Sequence, residues 1–549
     1  MSLLADAVEV FIAQGRAALL VLLVTVFLWF RSKLARQKVT APIPGIKVIP
    51  GAHWLFGHIK MLMGPLEDDK KDYFDHLFVE HANEQGLCCA YYFNPAISVL
   101  SAKHTRMILR QTSRRGKVTL VSKHARHTLG QQSLILQSGG SEWKRLRGLV
   151  QYALTAEAVK EHNPIIVEVA NAMVAALKTS CNEKSNNGKT TVDIVHVAEC
   201  FTLEAFGKLA FSHNFNCFSD SGITLSREAE AFTFLVDDIP KRSCASSMLN
   251  PLLQSYSLPT AYNRRYNVER GIVEKLLSSV IQQSRESLAM SNSSSSNNNT
   301  NGTSKKTRDN LLTHFIRASE DNSDDALVDV TKTILFAGYE TTAITITFVL
   351  YNLTKYPEFQ ELCCEEARRV LQGDNEININ DLRYTRAVLM ESLRLNPSVI
   401  WTSRNLTKTI DLDGYIIPAG FRILLPLTKI LVDERNFERG KEFIPTRWVR
   451  WNEEKKEWVE RDHRRESASH GEDVSAADPA NFLAFSDGAR DCVGKRLAMN
   501  ESIIALASLM KHFTVSYDES EPVELKRRLT SWFPHELNLT FSLRDDIDE

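Results

Sequence analysis

The sequence predicts a mainly α-helical fold with a minor β region. Three stretches carry that expectation: an apolar helical pattern from Leu327 to Leu353, an amphipathic helix opening at Ser141, and a strand-turn-strand pattern over Gly414-Tyr415-Ile-Ile-Pro418-Ala-Gly420. At 549 residues the chain can bury a large core, as one domain or two. Its 66 Lys and Arg nearly cancel its 67 Asp and Glu, so no whole-protein field points toward nucleic acid. The nine cysteines are odd in number, and neither adjacent pair, Cys88-Cys89 or Cys363-Cys364, has CxxC spacing. That usage fits reduced thiols better than disulfides or a zinc site, and predicts a body that faces the cytosol.

In chain order, the first element is an apolar run from Ala17 to Phe30 broken only by Thr25. Reaching membrane-spanning length means extending it back to Phe11 through Gln14 and Arg16. Arg16 can snorkel to the luminal interface, while Arg31, Lys33, Arg36 and Lys38 favour a cytoplasmic C-terminal side. A cleaved signal peptide competes with this reading. However, Arg-Ser-Lys-Leu-Ala-Arg follows the run instead of a small-residue cleavage site, so residues 1–38 are expected to be a retained anchor with its basic flank. Pro42, Pro44, Gly45, Pro50 and Gly51 make residues 39–58 a stiff hinge that cannot continue the helix, leaving 59–549 as the globular body.

In the helix opening at Ser141, that serine is placed to act as N-cap and Glu142 suits the first turn. Trp143 and Arg147 are four apart and share a face, so an indole N–H and a guanidinium can reach one anion. By itself the pattern fits a surface helix equally well. Residues 291–304, with sequons at Asn292, Asn298 and Asn301, and the charge-rich 451–480 read as disordered segments or surface insertions. The Leu327–Leu353 helix is interrupted by Ala337-Gly338-Tyr339-Glu340-Thr341-Thr342. A mid-helix glycine costs roughly 1 kcal/mol relative to alanine. Small residues at 337 and 338 can leave room for a flat ligand, with Thr341 turning its hydroxyl toward that space. The plainer alternative is a buried helix whose glycine packs on a neighbour.

Glu391 and Arg394, three apart on a helix, can pair, although an isolated ExxR is commonplace. Leu395-Asn-Pro397 ends that helix, Arg404 follows, and Pro445-Thr446-Arg447-Trp448 comes downstream. Last is Phe485-Ser-Asp-Gly488-Ala-Arg490-Asp-Cys492-Val-Gly494, one cysteine in a glycine-bracketed loop. Gly488 and Gly494 are expected to allow unusual dihedrals and close approach, freeing backbone amides to donate to sulfur. Phe485 can cover the sulfur and Arg490 can meet an anion. A lone cysteine of this kind is more often an inert one in a turn.

Together these residues resemble the FxxGxRxCxG haem-binding loop of the cytochrome P450 superfamily, in which a cysteine thiolate holds haem. WxxxR, AGxETT, ExxR, PxRW and the cysteine loop occur in the family's order from Trp143 to Gly494, and the resemblance extends over nearly the whole chain. It implies haem b between the Leu327–Leu353 helix and the loop, with Cys492 as the iron ligand. Trp143, Arg147 and Arg404 would bind the haem propionates, and Phe485, Arg490 and Gly494 would complete the cofactor site. Glu340 and Thr341 would be the catalytic pair that delivers protons through ordered water. Glu391, Arg394 and Arg447 would form a buried network that fixes loop geometry more than it adds net stability. Two departures leave the partners of Arg447 open: Thr446 replaces the usual Glu of the PER-like motif, and Val432-Asp-Glu-Arg435 replaces a His-Arg-Asp-Pro-like stretch.

By family position, Phe336, Ala337, Val399 to Thr402 and Trp532-Phe533 would line an apolar pocket, with Gln111–Gly140 setting selectivity. The implied activity is that of a microsomal monooxygenase acting on a lipophilic molecule such as a sterol, fatty acid or isoprenoid. Electrons would come from NADPH through a diflavin reductase, with cytochrome b5 as a further partner. The reductase would dock near Lys144, Arg145, Lys495 and Arg496, on a body tethered to the endoplasmic reticulum membrane. Two rivals are a haem-thiolate isomerase or dehydratase that rearranges a peroxide without reductase, and a non-catalytic haem-binding protein. Retention of Glu340 and Thr341 argues against both.

Overall fold

The structure, a computed structural model, describes residues 43–48, 81–92, 94–111, 120–182, 187–219, 222–243, 255–295, 310–318, 324–372, 378–464, 476–523, 525–527, 532–534 and 536–544. The expected anchor and most of the hinge lie outside these residues. The described chain is mainly helical with minor β structure, as the sequence predicts, and divides into two compact units.

The first unit comprises residues up to Leu100 together with Leu406–Leu424. The strand Leu87–Tyr92 pairs antiparallel with Asn94–Val99, which pairs parallel with Arg422–Leu425 from Ala96↔Arg422 to Ser98↔Leu424. The predicted strand-turn-strand is a hairpin of Ile410–Leu412 and Tyr415–Ile417. It turns on Asp413 and Gly414, both at positive φ (53° and 95°), the combination that a two-residue hairpin turn of matching twist demands.

The second unit, Ser101–Asn405 with Leu425–Glu549, carries the helices. In order these are α1 (Ala102–Gln111), α2 (Leu120–Leu129), α3 (Ser141–Ala153), α4 (Ala156–Asn182), α5 (Ile194–Phe211), α6 (Arg227–Ser243) and α7 (Ala261–Ser295). There follow α8 (Leu311–Ala318), α9 (Asp324–Thr354), α10 (Pro357–Val370), α11 (Arg383–Leu395), α12 (Leu427–Ile430) and α13 (Lys495–His512). Helix α9, three residues longer at its start than the apolar pattern, packs along α5, α7, α11 and α13 and is buried over most of its length. Helix α5 starts where the Asp193 carboxylate accepts the Val195 amide (3.0 Å). The first amides of α11 are satisfied from a distance: Glu366 on α10 accepts the Tyr384 and Thr385 amides, each at 2.8 Å.

Two local expectations are corrected. Ser141 is not the N-cap of α3: Gly140 is, at φ 112°, and no side chain caps the helix. The polar tract does not begin as a loop, because α7 continues through Ser295. The stretch 451–480, expected as a disordered segment or a surface insertion, opens with ordered structure. Val449–Asn452 and Glu457–Glu460 form a hairpin in which Trp451 faces Trp458, with ring centroids 5.5 Å apart, and cross-strand aromatic pairing holds that register.

Candidate functional site

Within the buried middle of α9, Ala337, Gly338 and Thr341 are half-buried, a break on one side of a helix otherwise enclosed by protein. The Thr341 hydroxyl donates to the Ala337 carbonyl (2.7 Å), and the Thr341 carbonyl accepts from the Ser398 hydroxyl (2.9 Å) and lies 2.8 Å from the Thr345 hydroxyl. Glu340 is buried. Next to it the Tyr339 hydroxyl meets Thr233 of α6 at 2.9 Å. Gly338 does not leave room for a ligand. A Cβ there would stand 2.3 Å from the Phe206 ring of α5, so this glycine serves helix packing, the plainer of its two readings.

The cysteine loop is built against α1. Gly488 has φ +74°, and a Cβ on it would lie 2.4 Å from the Leu109 carbonyl oxygen, so backbone conformation and close approach both require glycine. Arg110 of α1 donates to Asp487 (2.9 Å), whose carboxylate also accepts the Gly488 amide. The Cys492 amide donates to the Phe485 carbonyl (2.9 Å), closing the loop. Gly494 is otherwise than expected: its φ of −86° is ordinary, and a Cβ would stand 4.0 Å from the sulfur. What it offers is its amide, which points to the Cys492 sulfur at the N-terminus of α13. Cys492 presents its surface to open space, and of the eight described cysteines it alone is exposed. Protein atoms nonetheless crowd the sulfur. Burial pushes the thiol up, the Gly494 amide and the Arg147 and Lys495 charges oppose that rise, and Asp491 adds to it.

Trp143, Arg147 and Arg490 gather on this loop. The Arg490 guanidinium stacks on Trp143 at 4.1 Å and donates to the Gln137 carbonyl (2.9 Å). Arg147 is not left facing an unfilled space: it donates to the Asp491 carbonyl (2.8 Å) and pairs with the Asp491 carboxylate, the bidentate partner beside Cys492. Arg404 is fully buried and donates to the Thr402 hydroxyl and the Ser403 carbonyl, each at 2.9 Å. Of the basic surface residues, Lys144, Lys495 and Arg496 are exposed, while Arg145 pairs with Glu142 at 2.7 Å. Phe336 is buried, Val399, Ile400 and Thr402 are half-buried, and Trp401 is exposed. Trp532 and Phe533 lie on a short strand.

Glu391, Arg394 and Arg447 meet in the interior. Arg394 grips the Glu391 carboxylate through Nε (3.0 Å) and Nη2 (2.8 Å), and Arg447 Nε reaches it at 2.9 Å. Two partners that the motifs did not announce complete the set, the Trp448 indole N–H and the Ile444 amide, both at 2.9 Å. Arg447 also holds the carbonyls of Glu438 and Arg439 (3.0 and 3.3 Å), which answers what surrounds it. Thr446 contributes only its carbonyl, accepting from Arg461 at 3.0 Å. Glu434, within the other atypical stretch, accepts the Gly440 amide at 3.0 Å. One further acid escaped the sequence reading. Glu501 on α13 is buried, and burial pushes its carboxyl up to about 8, opposed by the Thr342 hydroxyl. A lone glutamate in the Lys495–His512 sequence carries no mark of that burial.

An accessible cysteine with an amide donor aimed at its sulfur, guanidinium groups gathered beside it and a half-buried threonine in a buried helix suit a haem thiolate site. The family comparison agrees: the cytochrome P450 family model matches residues 49–540, and the chain belongs to that family of haem-dependent monooxygenases. The ultra-long-chain fatty acid omega-hydroxylase of Homo sapiens is 25% identical over 87% of this chain and 85% of its own length. The leukotriene-B4 omega-hydroxylase 3 of Mus musculus is 26% identical over 86% of this chain and 85% of its own.

Proposed function

We propose that the chain is a membrane-tethered monooxygenase that hydroxylates a long-chain lipid, its haem held by Cys492. The observation that carries this reading is the single exposed thiol among the described cysteines, in a loop whose glycine, amide and arginines suit a metal-bound thiolate. Bound haem supplies the insertion of one oxygen atom of dioxygen into a C–H bond. Cys492 would give up its proton on binding the iron, and the Gly494 amide would stabilise the charge on sulfur. Trp143, Arg147 and Arg404 would receive the haem carboxylates. For Arg147 this means exchanging or sharing its present partner Asp491. Phe485 and Arg490 would shape the loop around the cofactor.

Thr341 and Glu340 would hold and pass protons. The Thr341 hydroxyl is spent on the Ala337 carbonyl, so its work requires rotation of one χ angle or an intervening water. The buried Glu391–Arg394–Arg447 network would keep the segment behind the loop in one geometry.

The names of the two omega-hydroxylases favour a fatty-acid-like substrate over a sterol or isoprenoid, and hydroxylation at the chain end. Electrons would come from NADPH through a diflavin reductase, with cytochrome b5 as a second donor, docked near the exposed Lys144, Lys495 and Arg496. The endoplasmic reticulum membrane is the expected site, through the anchor in residues 1–38. The test is the absorption spectrum of the reduced, carbon-monoxide-bound protein, followed by NADPH-dependent turnover of a long-chain fatty acid with reductase. A strongly red-shifted Soret band and a hydroxylated product support the reading. A histidine-type band or no haem sinks it, and turnover of a hydroperoxide without reductase favours the isomerase alternative.

A further inference from the structure

We infer that Ser398 is a positioning residue, whose hydroxyl pins the segment Val399–Thr402 to α9 at the turn that carries Thr341. Its catalytic consequence rests on the monooxygenase reading above, whereas the pin rests on hydrogen bonds alone. Ser398 Oγ lies 2.9 Å from the Thr341 carbonyl oxygen and 2.8 Å from Thr345 Oγ1, which itself lies 2.8 Å from that carbonyl. Two hydroxyl protons therefore serve three short contacts. If Thr345 donates to the carbonyl, the Ser398 proton goes either to the same carbonyl or to Thr345. If Thr345 donates to Ser398, the Ser398 proton goes to the carbonyl. Every arrangement spends it on α9.

Both hydroxyls are buried (8% exposed for Ser398, 7% for Thr345), so bulk water does not readily replace them. The site of attachment gives the pin its meaning. The carbonyl receiving these protons belongs to Thr341, whose own hydroxyl back-bonds to Ala337 one turn earlier, so the pin and the half-buried threonine share a residue. Immediately beyond Ser398 the chain runs through half-buried Val399 and Ile400, exposed Trp401 and half-buried Thr402 into the strand Thr402–Asn405. A backbone bond from the Thr428 amide to the Ile400 carbonyl (3.3 Å) holds that stretch from the other side. Releasing Ser398 would let these apolar side chains shift relative to the Thr341 hydroxyl. A long flexible substrate carbon chain would then be presented in a different register, changing which carbon is hydroxylated.

The test compares Ser398→Ala with Ser398→Thr, which keeps the hydroxyl, in the haem-loaded full chain. Amide exchange by mass spectrometry over 396–405 reads the pin. The ratio of terminal to subterminal hydroxylation of a twelve-carbon saturated fatty acid, with reductase, reads its consequence. Expected for Ser398→Ala are an unchanged red-shifted Soret band, exchange faster by about five-fold, the scale of one lost hydrogen bond, and a product ratio moved by a similar factor. Ser398→Thr should return both toward wild type. Wild-type exchange in Ser398→Ala overturns the pin, and faster exchange with an unmoved product ratio overturns the positioning role. If the wild-type protein forms no product with reductase, the monooxygenase reading fails, and the exchange measurement still decides the pin.

Discussion

Thr341 and Glu501 show how far one side chain's role depends on what surrounds it. With its hydroxyl donating to Ala337, Thr341 would have to turn or act through a water to take the proton-delivering role proposed for it. Thr341→Ala should keep haem and its red-shifted spectrum while cutting product formed per NADPH consumed by about a hundred-fold, the low end of the range for a positioned proton donor. Undiminished coupling would remove the proton-delivery role. Glu501 makes a prediction of opposite kind. Its folded carboxyl titrates at about 8, against an ordinary value of 4.5, so between these pH values the unfolded chain has released a proton that the folded protein retains. Stability therefore falls as pH rises from 4.5 to 8, by on the order of 3 kcal/mol at pH 7. Glu501→Gln should flatten that slope in denaturant titrations across pH 5 to 8, and an unchanged slope would mean that the carboxyl is not held neutral. The sequence marked Thr341 through its neighbours in AGYETT, but not Glu501, because burial belongs to the helix packing of α13 and leaves no trace in spacing.

The helices and loops settle matters that motifs leave open. Gly338 had two readings, a space for ligand or a packing contact, and the Phe206 ring decides for the second. Alanine there would gain roughly 1 kcal/mol of helix propensity but meet an aromatic ring at 2.3 Å in a buried interface. Overpacking of that kind costs about 1–3 kcal/mol, so Gly338→Ala should lower the melting temperature, with Phe206→Leu restoring much of the loss. If Gly338→Ala is stabilising, the two helices are not held that closely.

In the interior, the carboxylate of Glu391 organises two arginines, an indole and an amide. Trp448→Phe removes one charge-assisted hydrogen bond and should cost about 1.5–3 kcal/mol. Glu391→Gln leaves two buried guanidinium groups without their carboxylate and should cost more, about 3–5 kcal/mol, with loss of the red-shifted band. Equal effects would argue against a shared network. The PxRW spelling announced Arg447, whereas the bond from Trp448 to Glu391 joins residues 57 apart in the chain and is visible only in the fold.

At the scale of the whole molecule, the anchor proposed for the apolar N-terminal run bears on where the protein sits, not on how its body folds. Deleting residues 1–38 should move the protein from the membrane pellet to the soluble fraction, with its carbon-monoxide spectrum intact. Continued tight membrane binding would mean that the attachment lies elsewhere. The sequence by itself determined the helical class, the order of the motifs and the identity of the exposed thiol's loop, because periodicity, glycine and ligand chemistry are local properties of the chain. Only the tertiary structure decided which glycines are required by their backbone, that Arg147 rests on Asp491, that Trp448 joins Glu391 and that Ser398 reaches Thr341. Those outcomes depend on residues brought together from distant parts of the sequence, where packing and hydrogen-bond geometry choose among partners that spacing alone leaves equivalent.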